Sequence, residues 1–458
     1  MDYFIEPARK IPIFYECDVV VVGGGPAGIV AAIAAARNGC SVVLIEKSPM
    51  VGSNIIHGPL EAIMTFHDSQ KQVISGIAQE LIERLIKVGG SPGHIRDDVG
   101  YCKTITPFDA ELFKRVILEM LTEENIMLLL QALVVDVIQD ENDDLINGVI
   151  IEDKSGRRAI QGKVFIDCSG DADMAALSGA DFEKGRPQDG LMQPMTLLFK
   201  AGGVNTEILV DYIKREKEQF KFGINVDELD GNSVIHLWGF TDVLKKGYES
   251  GRLSLKRNEL HMVTTIRKGE VIINFTRAIG DGTIGGDITK AQLQTMIQAH
   301  ELLNYFKDFV PGFEEAYILS TGGVGVRETR RIKGLYILTK DDILNQVKFD
   351  DTVAKGTFPI DIHQPDSGGM EYTMITKAYN IPLRCLISKD RKNLLVAGRC
   401  ISVSYMASAS VRITATCMAT GQAAGTAASL LCTGNAIDFR LLSVKKLQET
   451  LVEQGMLI

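Results

Sequence analysis

The sequence predicts an α/β fold in which a parallel-sheet domain is interrupted by a second, α+β lobe. Three observations carry that expectation. First, two short apolar runs, 17–22 (CDVVVV) and 41–46 (SVVLIE), flank an alanine-rich stretch over 28–38 that closes at Gly39. A strand, a helix and a strand of those lengths form a βαβ unit whose strands lie parallel and adjacent. Second, a buried-strand pattern recurs late in the chain at 393–397 (NLLVA), running into Gly398 and a small-residue helix over 409–431. Third, between about 185 and 365 the pattern turns to short strands and loops with one long helix over 290–309. Such a break in the alternation reads as an insertion. The expected division is 1–184 and 366–458 for the sheet domain and 185–365 for the inserted lobe. A chain of 458 residues is also longer than a single core usually supports.

The remaining elements follow from local signals. Residues 74–88 have helical spacing and end in Gly89-Gly90-Ser91-Pro92-Gly93. Asp109 is placed to cap a helix running to about Thr122. Residues 128–138 read as strand, and 148–152 and 159–166 as a hairpin and return strand about a turn at 153–158. The return strand closes on a tight polar turn, 167–173 (DCSGDAD).

Composition excludes several functions. Lys and Arg number 49 against 58 acids, a net charge of −9, which argues against nucleic-acid and anionic-membrane partners. Residues 1–16 carry no secretory pattern. Of the two uncharged stretches, 19–36 is broken by Gly23-Gly24-Gly25-Pro26. The other, 413–437, holds Thr414, Thr416, Thr420, Gln422 and Ser429. It reads as a buried helix and not a membrane span. The eight cysteines include no C-x-x-C pair, so no zinc site, iron–sulfur cluster or redox dithiol is expected. Free thiols in a cytoplasmic protein are the simplest account. The expected partner is a small-molecule substrate, and homo-oligomerisation stays open.

The chemistry concentrates first at Gly23, Gly25 and Gly28, a G-x-G-x-x-G between strand and helix. The first glycine permits the turn, the second lets a pyrophosphate approach the backbone, and the third lets the helix pack on the strand. The helix N-terminus offers its amides and partial positive charge to that pyrophosphate. Glu46 ends the second strand, where an acid accepts from a ribose hydroxyl. Pro26 and Ala27 in the turn and Lys47 beside the acid belong to the same expected site. A second match, Gly280-x-Gly282-x-x-Gly285, has Asp281 and Asp287 beside it. Two carboxylates repel a pyrophosphate, so this reads as a loop ahead of a helix.

The fingerprint does not choose between dinucleotides, but longer segments do. DVVVVGGGPAGIVAAIAAARNGCSVVLIEK (18–47) resembles the start of FAD-dependent oxidoreductases whose Rossmann-like nucleotide domain is similar to that of glutathione reductase and fumarate reductase. VFIDCSGDADMAALSGA, STGGVGVRETRRIKG and NLLVAGRCISVSYMASASVRITATCMATGQAAG resemble the internal turn, the arginine-rich segment and the C-terminal flavin segment of one bacterial branch of that family. The resemblance implies FAD as cofactor. It also implies a late strand ending beside the flavin, and a following helix whose N-terminus points at the flavin's pyrimidine edge. It places Ser169, Gly170 and Asp171 in the internal turn and Gly398, Arg399 and Ser410 in the C-terminal segment. Relatives often carry an acid where Arg399 stands, so Arg399 is expected to pair with the pyrophosphate or an anionic substrate, or else within the protein. Ser53 and Asn54 are expected along the flavin. Val134 and Val135 are expected against the adenine, or simply in a core strand. His57 raises covalent attachment, but its spacing from Lys47 does not match that of the relatives, and non-covalent FAD is expected.

Candidates for the reaction itself are fewer. His363 in FPIDIHQP is the first acid/base candidate, with Asp361 two residues earlier to orient it. Tyr379 and Arg384 in YNIPLRCLI suit proton donation and recognition of an anionic oxygen. In GVRETRR, strand alternation would put Arg327 and Arg331 on one face and Glu328 and Arg330 on the other. That leaves Arg327 or Arg330 for substrate or flavin, or the group as an ion-pair network between lobes. Cys168 and Cys400 lack cysteine partners, which argues against a disulfide reductase. The expected function is hydride transfer between a small polar substrate and flavin N5. The alternative is a flavoprotein subunit passing electrons within a larger redox complex.

Overall fold

The computed structural model describes residues 4–140, 144–366, 369–434 and 437–458. Strand β1 (Ile13–Val22) and β2 (Val42–Glu46) flank α1 (Pro26–Arg37). They pair in parallel with Val19 opposite Val42 and Val22 opposite Ile45. Val19, Val20 and Val21 have no exposed surface, as an unbroken β-branched run requires when both faces of a parallel sheet are covered.

The sheet continues through β3 (Met127–Leu130), β4 (Leu133–Gln139), β5 (Ile146–Asp153) and β6 (Gly156–Asp167), in the order β3-β2-β1-β6-β5-β4. Strand β3 is parallel to β2, whereas β4, β5 and the first half of β6 form an antiparallel meander. The expected single strand over 128–138 is therefore two. Gln131 adopts φ 53° and turns the chain out of one pairing into the other. The helix expected after Asp109 is α2 (Ala110–Glu123), with the Asp109 carboxylate accepting from the amides of Glu111 and Leu112.

The inserted lobe is built on a six-stranded antiparallel sheet. Its strands are β7 (Phe199–Gly202), β8 (Phe220–Lys221), β9 (His236–Gly239), β10 (Leu260–Thr264), β11 (Val271–Asn274) and β12 (Tyr317–Thr321), ordered β8-β9-β10-β11-β7-β12. Helix α3 (Gly285–Phe309) buries Ala299, Leu302 and Phe306 in this lobe's own core, which spans Leu197 to Ala316. Side chains from Ile332 to Ile362 pack instead into the first core. The 280–285 loop holds itself with its own acids. Asp287 accepts from the Asp281 amide, and Asp281 pairs with Lys184.

A hairpin, β13 (Ile360–His363) and β14 (Met370–Thr373), precedes β15 (Leu394–Val396), which returns to the first sheet and lies parallel along the last residues of β6. The helix expected over 409–431 is broken into α4 (Tyr405–Val411) and α5 (Thr414–Cys432) at Arg412–Ile413. β-Branched residues cluster at the break, and Ser404 caps the first piece through the Ala407 amide. Helix α5 is buried almost throughout and crosses α1. Gly421 and Gly425 permit this, because a Cβ on either would lie 2.2 Å from the Ala27 carbonyl oxygen or 2.1 Å from that of Ala31. Among the described residues, no helix is long and apolar enough to cross a membrane, and no cluster of three or more His, Cys, Asp or Glu could hold a metal.

Candidate functional site: a cofactor cavity with a polar inner end

One cavity runs from the glycine turn, past the ends of β4, β6 and β15, to the face of the inserted sheet. At its outer end the three glycines have separate jobs. Gly23 has φ 100°, and a Cβ there would lie 2.5 Å from the Cys168 carbonyl oxygen. A Cβ on Gly28 would lie 1.8 Å from the Gly23 oxygen. Gly25 differs: its Cβ would meet only Ser53, at 3.4 Å, so the space beside it is open. Helix α1 starts there without a side-chain cap, and the amides of Ala27 and Gly28 have no partner among the described residues. Glu46 lines the cavity and braces the turn, accepting from the Gly24 amide at 2.6 Å and the Ser48 amide at 2.8 Å. Lys47, Ser53, Asn54 and Val134 line the same end; Val135 does not.

The 167–173 turn is organised by Asp167. Its fully buried carboxylate accepts from the Ser169 amide and hydroxyl and from the Ala175 amide, at 2.6–2.9 Å. Burial pushes its carboxyl up to about 6. Ser169 and Gly170 are thereby held at the cavity wall, and Gly398 and Arg399 face them from beyond β15. Arg399 is engaged within the protein. It donates to the Gly170 carbonyl at 2.7 Å and to the Val326 carbonyl, and pairs with Asp171 at 2.5 Å. Opposite, Ile413 and Thr414 at the uncapped start of α5 line the cavity. The break between α4 and α5 thus supplies the helix end, with its partial positive charge, that was expected from one longer helix.

The inner end carries Asp361 and His363, on one side of β13 as their i, i+2 spacing requires. His363 Nε2 lies 3.2 Å from Asp361 Oδ2, and Gln193 fixes the His363 backbone amide. Burial first, and the Arg327 charge second, push His363 down to about 3. Against the cost of burial, His363, Arg412 and Arg327 hold the Asp361 carboxyl well below its usual range. The pair is a neutral imidazole beside an ionised carboxylate. Arg327 reaches the Pro194 carbonyl and the Thr196 hydroxyl through Nη1. Tyr101, His261, Phe358 and Met370 complete this end.

Several expected residues are elsewhere. Tyr379 is fully buried behind the wall, its hydroxyl 2.8 Å from that of Ser410, which in turn donates to the Phe358 carbonyl. Neither lines the cavity. Arg384 lies outside it, paired with Asp351 at 2.9 Å. Asp171 sits behind the turn, paired with Arg399 and Thr329. The alternation expected for 327–331 does not occur, because the strand covers only Arg330–Ile332. Glu328 and Arg331 pair with each other at 2.5 Å, while Arg330 pairs with Asp173. His57 is outside this cavity, its ring bonded to the Met50 carbonyl. Cys168 and Cys400 are buried, and burial raises both thiols far above their ordinary value.

Arg412, Tyr101 and His261 were not anticipated. Arg412 lies in the C-terminal flavin-like segment, and its β-branched neighbours Val411 and Ile413 are the sequence signal for a helix break there. His261 owes its place to register: Trp238, His261 and Asn274 are cross-strand partners on β9, β10 and β11.

The open cradle at Gly25, two uncapped helix starts and the acid at the end of β2 fit a flavin dinucleotide. Stretches of the chain are similar to known proteins. The cytochrome-type fumarate reductase of Shewanella frigidimarina is 45% identical over 58 residues, 12% of this chain and 10% of that protein. The dihydrolipoyl dehydrogenase of Trypanosoma brucei brucei is 41% identical over 68 residues, 13% of this chain and 14% of that one. The chain thus spans only about a tenth of the length of the curated relatives it matches. A geranylgeranyl bacteriochlorophyll reductase-like structure from Thermoplasma acidophilum aligns over 96% of this chain and 84% of its own, at 12% identity and a TM-score of 0.49. The family described as FAD dependent oxidoreductase matches residues 18–451, nearly the whole sequence, so the chain belongs to that family: it is an enzyme, and its cofactor is FAD.

Proposed function

We propose that the enzyme transfers a hydride between a carbon of a small polar substrate, bound at the inner end of the cavity, and N5 of non-covalently held FAD. FAD supplies the two-electron acceptor or donor; the protein supplies position and the proton. The carrying observation is that the Asp361–His363 pair lines the same cavity as the glycine cradle and the start of α5. With Nε2–H directed at Asp361, the other ring nitrogen, Nδ1, keeps its lone pair and has no partner among the described residues. A neutral histidine oriented by a carboxylate can take a proton from a hydroxyl or amine and return it. The α5 N-terminus favours negative charge beside it. His57, lying outside the cavity, supports non-covalent binding.

Anaerobic bleaching of the flavin by polyols, sugars, amino acids and hydroxy acids tests the reading. A member of the panel should reduce the flavin. His363→Gln should slow that reduction by about 100-fold or more while flavin content stays unchanged. With His363 pushed down to about 3 in the free protein, the reduction rate at substrate levels well below saturation should show no acid limb near the ordinary histidine value of about 6.5. Unchanged reduction in His363→Gln would refute the assignment.

A further inference from the structure

The charges at the inner end do not balance. Arg327 and Arg412 both line the cavity beside Asp361; the other acids of its lining are Glu46, at the glycine turn, and Asp173, paired with Arg330. Arg412 touches Asp361 at 3.5 Å through Nη2, and two more guanidiniums lie behind. Arg257 is buried, bonded to the Phe275 carbonyl at 2.7 Å and partly offset by the charge of Glu259, and Arg277 donates to the Gln364 carbonyl and is partly offset by Asp366. The histidines at this end add no negative charge. Burial, then the charges of Arg412, Arg257 and Arg277, press against ionisation of Arg327. A guanidinium does not give up its proton in a protein, so the unfavourable charge is relieved by bringing in an anion.

The donors are also unspent. Nε and Nη2 of Arg327 and Nη1 of Arg412 have no hydrogen-bond partner among the described residues. The Tyr101 hydroxyl is buried and faces the Asp361 carboxylate. Asp361 Oδ1 is the competing unpaired acceptor at that spot, and it cannot serve all four donors. The pyrophosphate of FAD has its own cradle at Gly25, at the outer end.

Resting on the function proposed above, we infer that the substrate is a small carboxylate, its anion clamped by Arg327 and Arg412 beside His363 and its carbon body against Tyr101, His261, Phe358 and Met370. A planar fork suits a carboxylate better than a point charge does. Pairing these cations also removes part of what keeps His363 neutral, so the bound anion makes that imidazole a stronger base.

The test reads binding and not turnover. The FAD-loaded protein is titrated with acetate, succinate and benzoate, and separately with acetamide, succinamide and benzamide, while the flavin absorbance is followed. At least one acid should shift the spectrum saturably, at least about tenfold more tightly than its amide. Arg327→Met or Arg412→Met should weaken that acid by about tenfold or more with flavin content retained. Should either methionine variant lose FAD or fail to fold, Arg327→Lys and Arg412→Lys take its place, keeping the charge and losing the fork, with an intermediate loss expected. Amides binding as tightly as acids, no response to any acid, or arginine variants that bind as the parent does would each overturn the inference. His363→Gln should retain carboxylate binding. A protein that binds acids but never bleaches would therefore refute the proposed hydride transfer and leave the anion site standing.

Discussion

Glycines 25 and 28 stand three residues apart in one motif and do different work. Gly28 is excluded from carrying a side chain by backbone, since a Cβ would lie 1.8 Å from the Gly23 oxygen. Gly25 has room for one in the protein alone, and that room is where the proposed reading puts the cofactor. Gly28→Ala should therefore destabilise the apoprotein, by about 2 kcal/mol or more. Gly25→Ala should leave apoprotein melting within about 1 °C and weaken FAD about tenfold, ~1.4 kcal/mol. Melting scans with and without FAD, together with a flavin titration, separate the two. Equal loss of apoprotein stability in both variants would refute the division. The expected arginine and tyrosine candidates show what a residue-by-residue reading lacks. Arg384 and Arg399 have the right chemistry for an anion, but Asp351 and Asp171 take their charge. Neither partner is near in sequence.

Helices α1 and α5 belong to opposite ends of the chain and cross at backbone distance. Their small-residue character was legible, and so was the burial of α5, because an uncharged run with interspersed threonines has no polar face to show to water. The break at Arg412–Ile413 was not legible: a small-residue helix pattern passes through it. Its consequence is large, since it puts a helix start and a guanidinium in the cavity wall together. The crossing itself is testable. A side chain at position 425 has to displace the Ala31 carbonyl region, so Gly425→Val should cost more than about 2 kcal/mol, read as a shift in urea midpoint of the apoprotein. The equivalent change at Gly39, where nothing lies within 4 Å, is strained by its φ of 89° and leaves the α1–α5 crossing untouched. A Gly425→Val protein as stable as the parent would mean the helices do not approach as described.

Two neutral histidines, His94 half-buried and His363 buried, tie the whole molecule's stability to pH. His94 bridges the Thr106 hydroxyl at 2.7 Å and the Gln79 side chain at 2.9 Å, using one nitrogen as donor and one as acceptor. Burial, then the nearby His67, pushes it down to about 4, and His363 lies at about 3. Between those values and about 6.5 the unfolded chain binds protons that the folded chain refuses, so stability rises with pH across that window and falls on acidification. His94→Gln, which keeps both bonding roles without titrating, should flatten the slope between about pH 4.5 and pH 6.5. Urea midpoints at several pH values check this; an unchanged slope would show that His94 does not stay neutral in the folded protein.

At this largest scale the division between sequence and structure is physical. Periodicity, glycine placement and a terminal acid are local quantities, and they sufficed for the βαβ unit with its glycine turn and for the capped helix at Asp109. The longer family-like segments carry the identity of the cofactor. What tertiary structure decided is the inner end of the cavity. Asp361 and His363 share a side because they are two residues apart on a strand, which the sequence implied. Their meeting with Arg327, Arg412, Tyr101 and His261 depends on sheet register, a helix break and the docking of two lobes. Those come from long-range packing, which no short window of sequence records.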